Sequence, residues 1–163
     1  DRAAAEAILS AEVTHAHPEG IAGAVLDAVA AAHAAEARRA AERPSPRRFL
    51  ESLEPYLVAG QVQRGVERAV RLLGGTPAEA AYELGNGARV TAQDTVPFTL
   101  WLAATFLEDY PAAITACVEA GGDVDTTAAI VGGVVAAYTG KGDGGIPPEW
   151  LSHREPLPPW SAP

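Results

Sequence analysis

The sequence predicts an all-α domain, and three observations support that prediction. Apolar residues recur at three- and four-residue intervals along most of the chain, which is the spacing of a helix that buries one face. Hydrophobic residues make up 48% of the 163 residues but aromatic residues only 6%, which favours small side chains between closely approaching helices. Proline and glycine separate the periodic segments. We expect residues 1–155 to form one domain, followed by a Pro-rich extended tail at 156–163.

Residues that suit a first helical turn mark several helix starts. They are His17 before Pro18, Ser45, the capping box at 76–79 and Asp109. In chain order, the predicted helices run from Arg2 to about Glu12, from Pro18 toward Arg43, from Ser45 through Phe49 to Leu57, from Gly60 to Leu73, from Pro77 to Leu84, from Val96 to Leu107, from Asp109 to the Gly121-Gly122 pair and from Asp125 to Tyr138, with a final turn at Pro148 to Leu151.

One polar stretch is predicted to stay outside the helices. Gly85-Asn86-Gly87 is unsuited to a helix interior, and residues 90–95 are predicted to form a loop. Asp94 or Thr95 is expected to cap the helix that starts at Val96. A loop that is tethered at both ends in this way can line a pocket.

The bulk composition excludes several classes of function. Twelve basic and twenty-one acidic residues give a net charge of −9, which would repel a phosphate backbone, so we expect no general nucleic-acid binding. Cys117 is the only cysteine, which rules out an intrachain disulfide and a cysteine zinc site and fits a cytoplasmic location. No uninterrupted apolar run approaches the roughly 20 residues of a membrane span, and the start lacks a signal sequence, so we expect no membrane partner.

Asp123 and Asp125 offer two carboxylates where a Gly-Gly turn meets a predicted helix start, and Thr126 adds a hydroxyl oxygen. Hard oxygen ligands of this kind suit Mg²⁺, Mn²⁺ or Ca²⁺. An EF-hand is excluded because Ala128 and apolar residues follow in place of further acceptors. The alternative interpretation is that Asp123 or Asp125 only caps the helix, where the helix dipole favours a negative charge.

Gly132 and Gly133 stand in the middle of the same predicted helix, where each costs about 1 kcal/mol relative to alanine. We expect a neighbouring helix at short range to justify these glycines. Such packing would hold the acidic helix start rigidly in the middle of the domain, which favours a preorganised metal site.

His15 and His17 lie on one side of a predicted extended stretch, beside a helix start that could hold phosphate. Two histidines without a third nearby ligand do not establish a zinc site. The alternative is one capping histidine and one buried, hydrogen-bonded histidine. Gly85, Asn86 and Gly87 permit close backbone approach to a ligand and Gln93 could contact one, but the glycines also serve to end the preceding helix.

Four segments follow one another along nearly the whole chain. The most specific series is Gly-Gly-Asp-x-Asp-Thr, a small-residue helix, a glycine and an Ile-Pro-x-x-Trp-Leu ending. In this order the segments resemble the ADP-ribosylglycohydrolase family. The segments are Thr14-His15-Ala16-His17-Pro18 with Gly20, Gly23 and Ala24; Gly85 to Trp101; Gly121 to Tyr138; and Ile146 to Leu151.

The resemblance implies a compact orthogonal bundle of α-helices, of which this chain is the C-terminal portion, with two adjacent Mg²⁺ or Mn²⁺ ions at its centre. It implies that Asp123, Asp125 and Thr126 are metal ligands and that the two aspartates are catalytic. It also makes His15 a candidate contact to the diphosphate-ribose part of the ligand, and the Gly85 to Gln93 loop a candidate wall for the adenosine end.

The sequence also departs from the family. Family members begin with a Gly-Asp-rich segment and a Thr-Asp-Asp-Thr motif that supplies the other metal ligands, then a glycine-rich phosphate loop, and none of these occurs here. The chain begins at Asp1 and contains no methionine, so either it is a piece of a longer protein or modified methionines are missing from it. We therefore expect half of the dinuclear site here and the other half in the same or another chain.

The resemblance implies a metal-dependent hydrolase that removes ADP-ribose from a modified protein or a small conjugate, with the isolated chain inactive. Two alternatives stay open. One is a truncated or non-catalytic relative that binds ADP-ribose or pairs with another chain. The other is a helical adaptor in which Asp123 and Asp125 are only caps.

Overall fold

The structure is a computed structural model that describes residues 2–140, 144–156, 158 and 160. It confirms the all-α prediction, since 71% of the described residues are helical and none of them forms a strand. The helices are α1 (Arg2–Glu12), α2 (Pro18–Arg39), α3 (Pro46–Glu51), α4 (Gln61–Arg71), α5 (Pro77–Leu84), α6 (Ala92–Thr105), α7 (Tyr110–Ala120), α8 (Val124–Thr139) and α9 (Pro148–His153), with a 3₁₀ turn at Glu54–Tyr56.

The core is built around α6, which is buried along almost its whole length. Phe98, Leu100 and Trp101 of this helix are fully buried. Helices α2, α4, α5 and α8 pack around it, and alanine and valine side chains fill much of the remaining space. Because α2 and α8 also pack on each other, the starts of all three helices are held in fixed positions.

Hydrogen bonds confirm all four predicted helix caps, at His17, Ser45, Thr76 and Asp109. His17 caps α2, since its Nδ1 accepts the N–H of Glu19 at 3.2 Å. Thr76 and Glu79 form the predicted capping box at α5, because Thr76 Oγ1 accepts the N–H of Glu79 at 3.2 Å and Glu79 Oε2 accepts the N–H of Thr76 at 2.8 Å. These starts depend on neighbouring residues alone, which is why the sequence predicts them well.

We expect Thr76→Ala to lower the free energy of unfolding by about 1 kcal/mol, because it removes the hydroxyl that satisfies a helix-start N–H. Urea denaturation of the variant and the parent measures this difference. Thr115→Ala is the matched control, since Thr115 is exposed within α7 and should change stability little. Equal losses in the two variants would contradict a capping contribution from Thr76.

The start of α6 differs from the prediction. The helix begins at Ala92, four residues before the predicted start at Val96, and its N-cap residue Thr91 makes no side-chain capping bond. Asp94 and Thr95 therefore lie inside the helix, and the prediction that one of them caps it is wrong.

Pro97 is the physical reason for this difference. Proline favours the first turn of a helix, and that preference predicts a start close to Pro97. In the structure Pro97 is interior to α6, where it has no N–H to donate to the carbonyl of Gln93. The next carbonyl, that of Asp94, accepts the N–H of Gly87 at 3.1 Å, so the irregular start of α6 is bonded to the loop before it.

Two other predicted helices end earlier than expected. Helix α2 stops at Arg39 instead of continuing toward Arg43, and Ala41 just beyond it has a φ of 53°. The predicted helix from Ser45 to Leu57 is divided into α3 and the 3₁₀ turn. Pro55 divides it because a proline has no N–H to donate to a carbonyl in the preceding turn.

The two glycines of α8 have different surroundings. A Cβ at Gly132 would lie 3.0 Å from the Tyr110 hydroxyl oxygen and 3.3 Å from Ile114 Cδ1, so α7 approaches closely there as predicted. The same expectation is wrong for Gly133, where an added Cβ would meet nothing within 4 Å. One glycine is thus explained by close helix packing, and the structure offers no packing reason for the other.

Helix α2 is apolar enough to cross a membrane by length and composition alone, with a mean hydropathy of 1.2 over 18 residues, of which 39% are buried. The sequence prediction missed this because it required an uninterrupted apolar run. Core helices of soluble proteins meet the same criterion, and α2 packs on α1, α6 and α8. In the predicted tail at 156–163, positions 157, 159 and 161–163 lie outside the described residues, and the division into domain and tail stays a prediction.

Candidate functional site

A cavity of about 520 Å³ lies where the starts of α2, α6 and α8 meet. Its wall contains four of the predicted site residues, His15, Gln93, Asp123 and Thr126. These residues come from three distant parts of the sequence, and the packing of the three helices brings them together. Asp125 follows Asp123 in the first turn of α8 with an exposed side chain, outside the wall of this cavity. We call this space the acidic cavity.

Asp123 occupies the N-cap position of α8 without using its carboxylate as a cap. Its backbone carbonyl accepts the N–H and the hydroxyl of Thr127 at 2.9 and 3.0 Å. No hydrogen bond of ordinary geometry joins its carboxylate to the N–H groups of the helix start, although the Thr126 N–H is among the groups that lower its pKa. The neighbouring Thr126 hydroxyl, and after it the Asp125 carboxyl, lower the pKa of Asp123. The result is an ionised, partly exposed carboxylate at the cavity wall.

The donor set fits part of the shell of a hard divalent cation. Asp123, Asp125 and Thr126 place two carboxylates and a hydroxyl within one helical turn, and oxygen ligands are what Mg²⁺ and Mn²⁺ prefer. Within the described residues, no group of three or more His, Cys, Asp or Glu side chains could hold a metal ion. An ion at this turn would therefore need further ligands from water or from elsewhere.

The loop at Gly85-Asn86-Gly87 supports the start of α8 that carries Asp123, Asp125 and Thr126, which we call the acidic turn. The carbonyl of Asn86 accepts the N–H of Asp123 at 3.1 Å, and its side-chain amide donates to the carbonyl of Ala120 at 3.0 Å. Gly87 has a φ of 86°, and a Cβ there would lie 2.8 Å from the Asp123 Cβ. The absence of a side chain at this position is thus required by the close approach. Asn86 and Gly87 do not line the acidic cavity, and their contact with a ligand stays a prediction.

The two predicted histidines have different surroundings. His17 is the capping histidine described above, whereas His15 is exposed, so the expectation of a buried second histidine is wrong. The Nδ1 of His15 lies 2.8 Å from the Thr14 hydroxyl oxygen. Its ring covers Gly20, where an added Cβ would lie 3.1 Å from the His15 Cδ2. The glycine therefore leaves room for the imidazole at the cavity wall.

Asp27 also lies in the wall of the acidic cavity and was not predicted. The residue as a whole is partly exposed, but its carboxyl oxygen Oδ1 is fully buried and has no hydrogen-bond partner. Burial raises the pKa of this carboxyl to about 8. A buried carboxyl without a partner is costly, and such groups are concentrated at functional sites. The sequence does contain a sign of it, an acidic residue inside a long run of alanine and valine.

Glu19 contrasts with Asp27, although both are acidic residues of α2 in the same wall. The Glu19 carboxylate accepts the N–H of Gln61 at 2.6 Å and that of Val62 at 2.8 Å. It thereby satisfies the first turn of α4 and links α2 to α4. Glu19 consequently has a structural role, whereas the Asp27 carboxyl has no partner to explain its burial.

Val90 forms part of the rim with a strained backbone. Its φ is 53°, which is rare for a β-branched residue, and its side chain is 82% exposed. The N–H of Val90 donates to the Gly87 carbonyl at 2.8 Å, which holds the turn in place. Strained residues of this kind are concentrated at ligand-binding sites, which agrees with the position of Val90 in the wall of the acidic cavity.

A second cavity, of about 660 Å³, lies on the other side of Thr91 and Gln93, which line both spaces. It includes Gly85 but neither Asp123 nor Thr126. Although this second cavity is larger, the carboxylates that could bind a cation belong to the acidic cavity. Gln93 thus borders both spaces, whereas Gly85 borders only the second.

Comparison with known proteins gave one match. A family model described as ADP-ribosylglycohydrolase matches residues 1–160, which include the acidic turn, the histidine segment and the Gly85 to Gln93 loop. No curated protein and no solved structure matches the chain.

Proposed function

The chain belongs to the ADP-ribosylglycohydrolase family, and we therefore propose that it acts in the hydrolysis of the glycosidic bond between ADP-ribose and a modified target. The family match supports a glycohydrolase-type enzyme. The observation that carries the finer proposal is the Asp123 carboxylate, which stays ionised at the wall of a cavity and is not used to cap its helix. The target would be an ADP-ribosylated protein or a small ADP-ribose conjugate.

Asp123, Asp125 and Thr126 would hold Mg²⁺ or Mn²⁺, and this family is generally metal-dependent. Ions bound there would orient the ribose and lower the pKa of an attacking water. The chain itself favours the ionised form of Asp123, chiefly because the Thr126 hydroxyl lowers its pKa. The remaining ligands of a two-ion site would come from an N-terminal half, in the same protein or on another chain.

His15 and Gln93 support the assignment of the acidic cavity as the ligand site, because they line it together with Asp123 and Thr126. In this proposal, the imidazole of His15 contacts the diphosphate-ribose portion of the ligand. The loop from Gly85 to Gln93 borders the adenosine end. A cytoplasmic location without a membrane partner or general nucleic-acid binding belongs to the same proposal.

A second candidate function is a non-catalytic relative that binds ADP-ribose or pairs with another chain. It is favoured by the incomplete ligand set, since the described residues contain no group of three acidic, histidine or cysteine side chains that could hold a metal. The two candidates differ in whether bound ADP-ribose conjugates are cleaved.

Removal of metal is the test of the proposed function. We expect the complete protein to release ADP-ribose from a modified protein, to stop when a chelator is added, and to recover with Mg²⁺ or Mn²⁺, because the acidic turn alone cannot orient the ribose. Chromatography of free ADP-ribose measures the release. Binding of the conjugate with no release in either metal would contradict the enzyme proposal and favour the binding module.

A further inference from the structure

The larger cavity of about 660 Å³ has a basic wall in an acidic protein. Arg64, Arg68 and Arg89 line it, and they are three of only 12 basic residues in a chain of net charge −9. Glu83 and Asp94 also line it, so the wall carries a surplus of one positive charge. We call this space, between α4, the end of α5 and the start of α6, the arginine pocket.

The fold holds two of the arginines on one face of α4. Arg64 and Arg68 are four residues apart, so their side chains lie on successive turns of the same face. Arg68 is fixed from outside its helix, because its Nη1 donates to the carbonyl of Glu83 at 3.0 Å. This bond uses one of the five N–H donors of a guanidinium. The other donors of Arg68, and those of Arg64, have no hydrogen-bond acceptor within the described part of the chain.

Arg89 comes to the same pocket from the loop before α6. Its backbone N–H donates to Asp94 Oδ2 at 2.9 Å, and its Nε lies 3.9 Å from Asp94 Oδ1. Asp94 is only 7% exposed, whereas the Arg89 side chain is 85% exposed. Asp94 thus anchors Arg89 while leaving most of its guanidinium accessible.

Tyr82 adds a flat apolar surface at the edge of the pocket. It lies near the end of α5, lines the pocket and is 88% exposed. An aromatic ring as exposed as this one is available to stack on the ring of a ligand. The pocket volume also falls within the roughly 300–1,000 Å³ of small-molecule sites.

We propose that the arginine pocket binds an organic phosphate, with the guanidinium groups of Arg64, Arg68 and Arg89 on the phosphate oxygens and the ring of Tyr82 against the attached ring system. The planar, multiply donating guanidinium matches phosphate oxygens well. The pocket contains no residue of the acidic turn, so the binding does not depend on metal. Gly85 and Gln93 also line it, and the adenosine end of the ligand is proposed to border the same loop, so the choice of ring system rests on the proposed function. The arginine pocket would thus bind an anion although the chain as a whole is negatively charged.

Calorimetric titration of the full chain with AMP and with inorganic phosphate tests the proposal. We expect the double variant Arg64→Gln with Arg68→Gln to weaken both ligands at least about tenfold, because charged hydrogen bonds are lost. Tyr82→Ala should weaken AMP and leave inorganic phosphate unchanged. Asp123→Asn should bind AMP as the parent does, which separates this proposal from that of the metal-dependent reaction.

The matched control is the double variant Arg47→Gln with Arg71→Gln, which removes the same charge from exposed residues outside the pocket and should keep the parent affinity. Equal weakening in both double variants would overturn the proposal in favour of general electrostatic attraction. Unchanged AMP affinity in the pocket variant, or no saturable AMP binding by the parent, would also overturn it. If the double variant loses its helical circular dichroism, Arg89→Gln provides the same comparison from the other wall.

Discussion

Asp123→Asn in the complete protein is expected to lower the rate of ADP-ribose release at least about 100-fold. Changing a residue that only hydrogen-bonds to a metal ligand already lowers activity or metal affinity roughly 10–100-fold, and Asp123 would be a ligand itself. The apparent affinity for Mn²⁺ should fall as well. Asparagine is as good an N-cap residue as aspartate. The substitution therefore preserves the helix start and removes only the charged oxygen, which separates a metal ligand from a cap.

Release of ADP-ribose at several Mn²⁺ concentrations measures both quantities. Glu119→Gln is the matched control, since Glu119 is exposed near the same turn and does not line the acidic cavity. It should leave turnover unchanged. Unchanged turnover and unchanged manganese affinity in Asp123→Asn would show that Asp123 is only a helix cap, as the adaptor interpretation holds.

Asp27→Asn is expected to stabilise the protein at pH 8 and to flatten the pH dependence of its stability. The folded-state pKa of Asp27 is about 8, above the ordinary value of 3.8. Folding therefore favours the protonated carboxyl. The contribution of protonated Asp27 to the free energy of unfolding is fully present below about pH 4. It is lost as the pH rises through 8, by at most about 1.4 kcal/mol per pH unit. Asparagine has no proton to lose, so the variant avoids that loss.

Thermal unfolding between about pH 5 and pH 8 checks this prediction, since the free energy of unfolding responds there to a group that titrates differently in the two states. In that window Glu79 and Asp123, whose pKa values are lowered, contribute little to the change of stability with pH, because both are already ionised. Glu119→Gln again provides an exposed control. An Asp27→Asn variant with the parent's pH profile would contradict the burial of an unpartnered carboxyl.

Asp27→Asn also distinguishes a functional carboxyl from a structural one. If Asp27 serves a ligand in the acidic cavity, the variant should be more stable and less active, which is the usual relation at a site whose groups are strained or poorly paired. A structural carboxyl would have a partner in the folded chain, and its Oδ1 has none.

Features decided by neighbouring residues could be predicted from the sequence. The capping box at Thr76 and the cap at His17 depend on contacts within one helical turn. The proximity of Asp123, Asp125 and Thr126 follows from their adjacency in the chain. The all-α class follows in the same way, because it rests on a local apolar period repeated many times.

Features decided by distant contacts could not be predicted. The early start of α6 involves a contact from outside the helix, in which the Asp94 carbonyl accepts the N–H of Gly87. Asp27 stands on a helix that is apolar on nearly every side, so periodicity could not indicate which face borders a cavity. Arg64 and Arg89 are 25 positions apart in the sequence, and only the packing of α4 against α6 puts them in one pocket.

The loop at Gly85-Asn86-Gly87 supports the wall that the two cavities share. It is bonded to α6 through Gly87 and to the acidic turn through Asn86, so Thr91 and Gln93, which follow it and line both spaces, are held in fixed positions. Its conformational freedom is lost when the chain folds, before any ligand arrives. Ordering this wall therefore adds little entropic cost to binding. Affinity in both cavities should consequently depend on the groups that line them and not on closure of the loop.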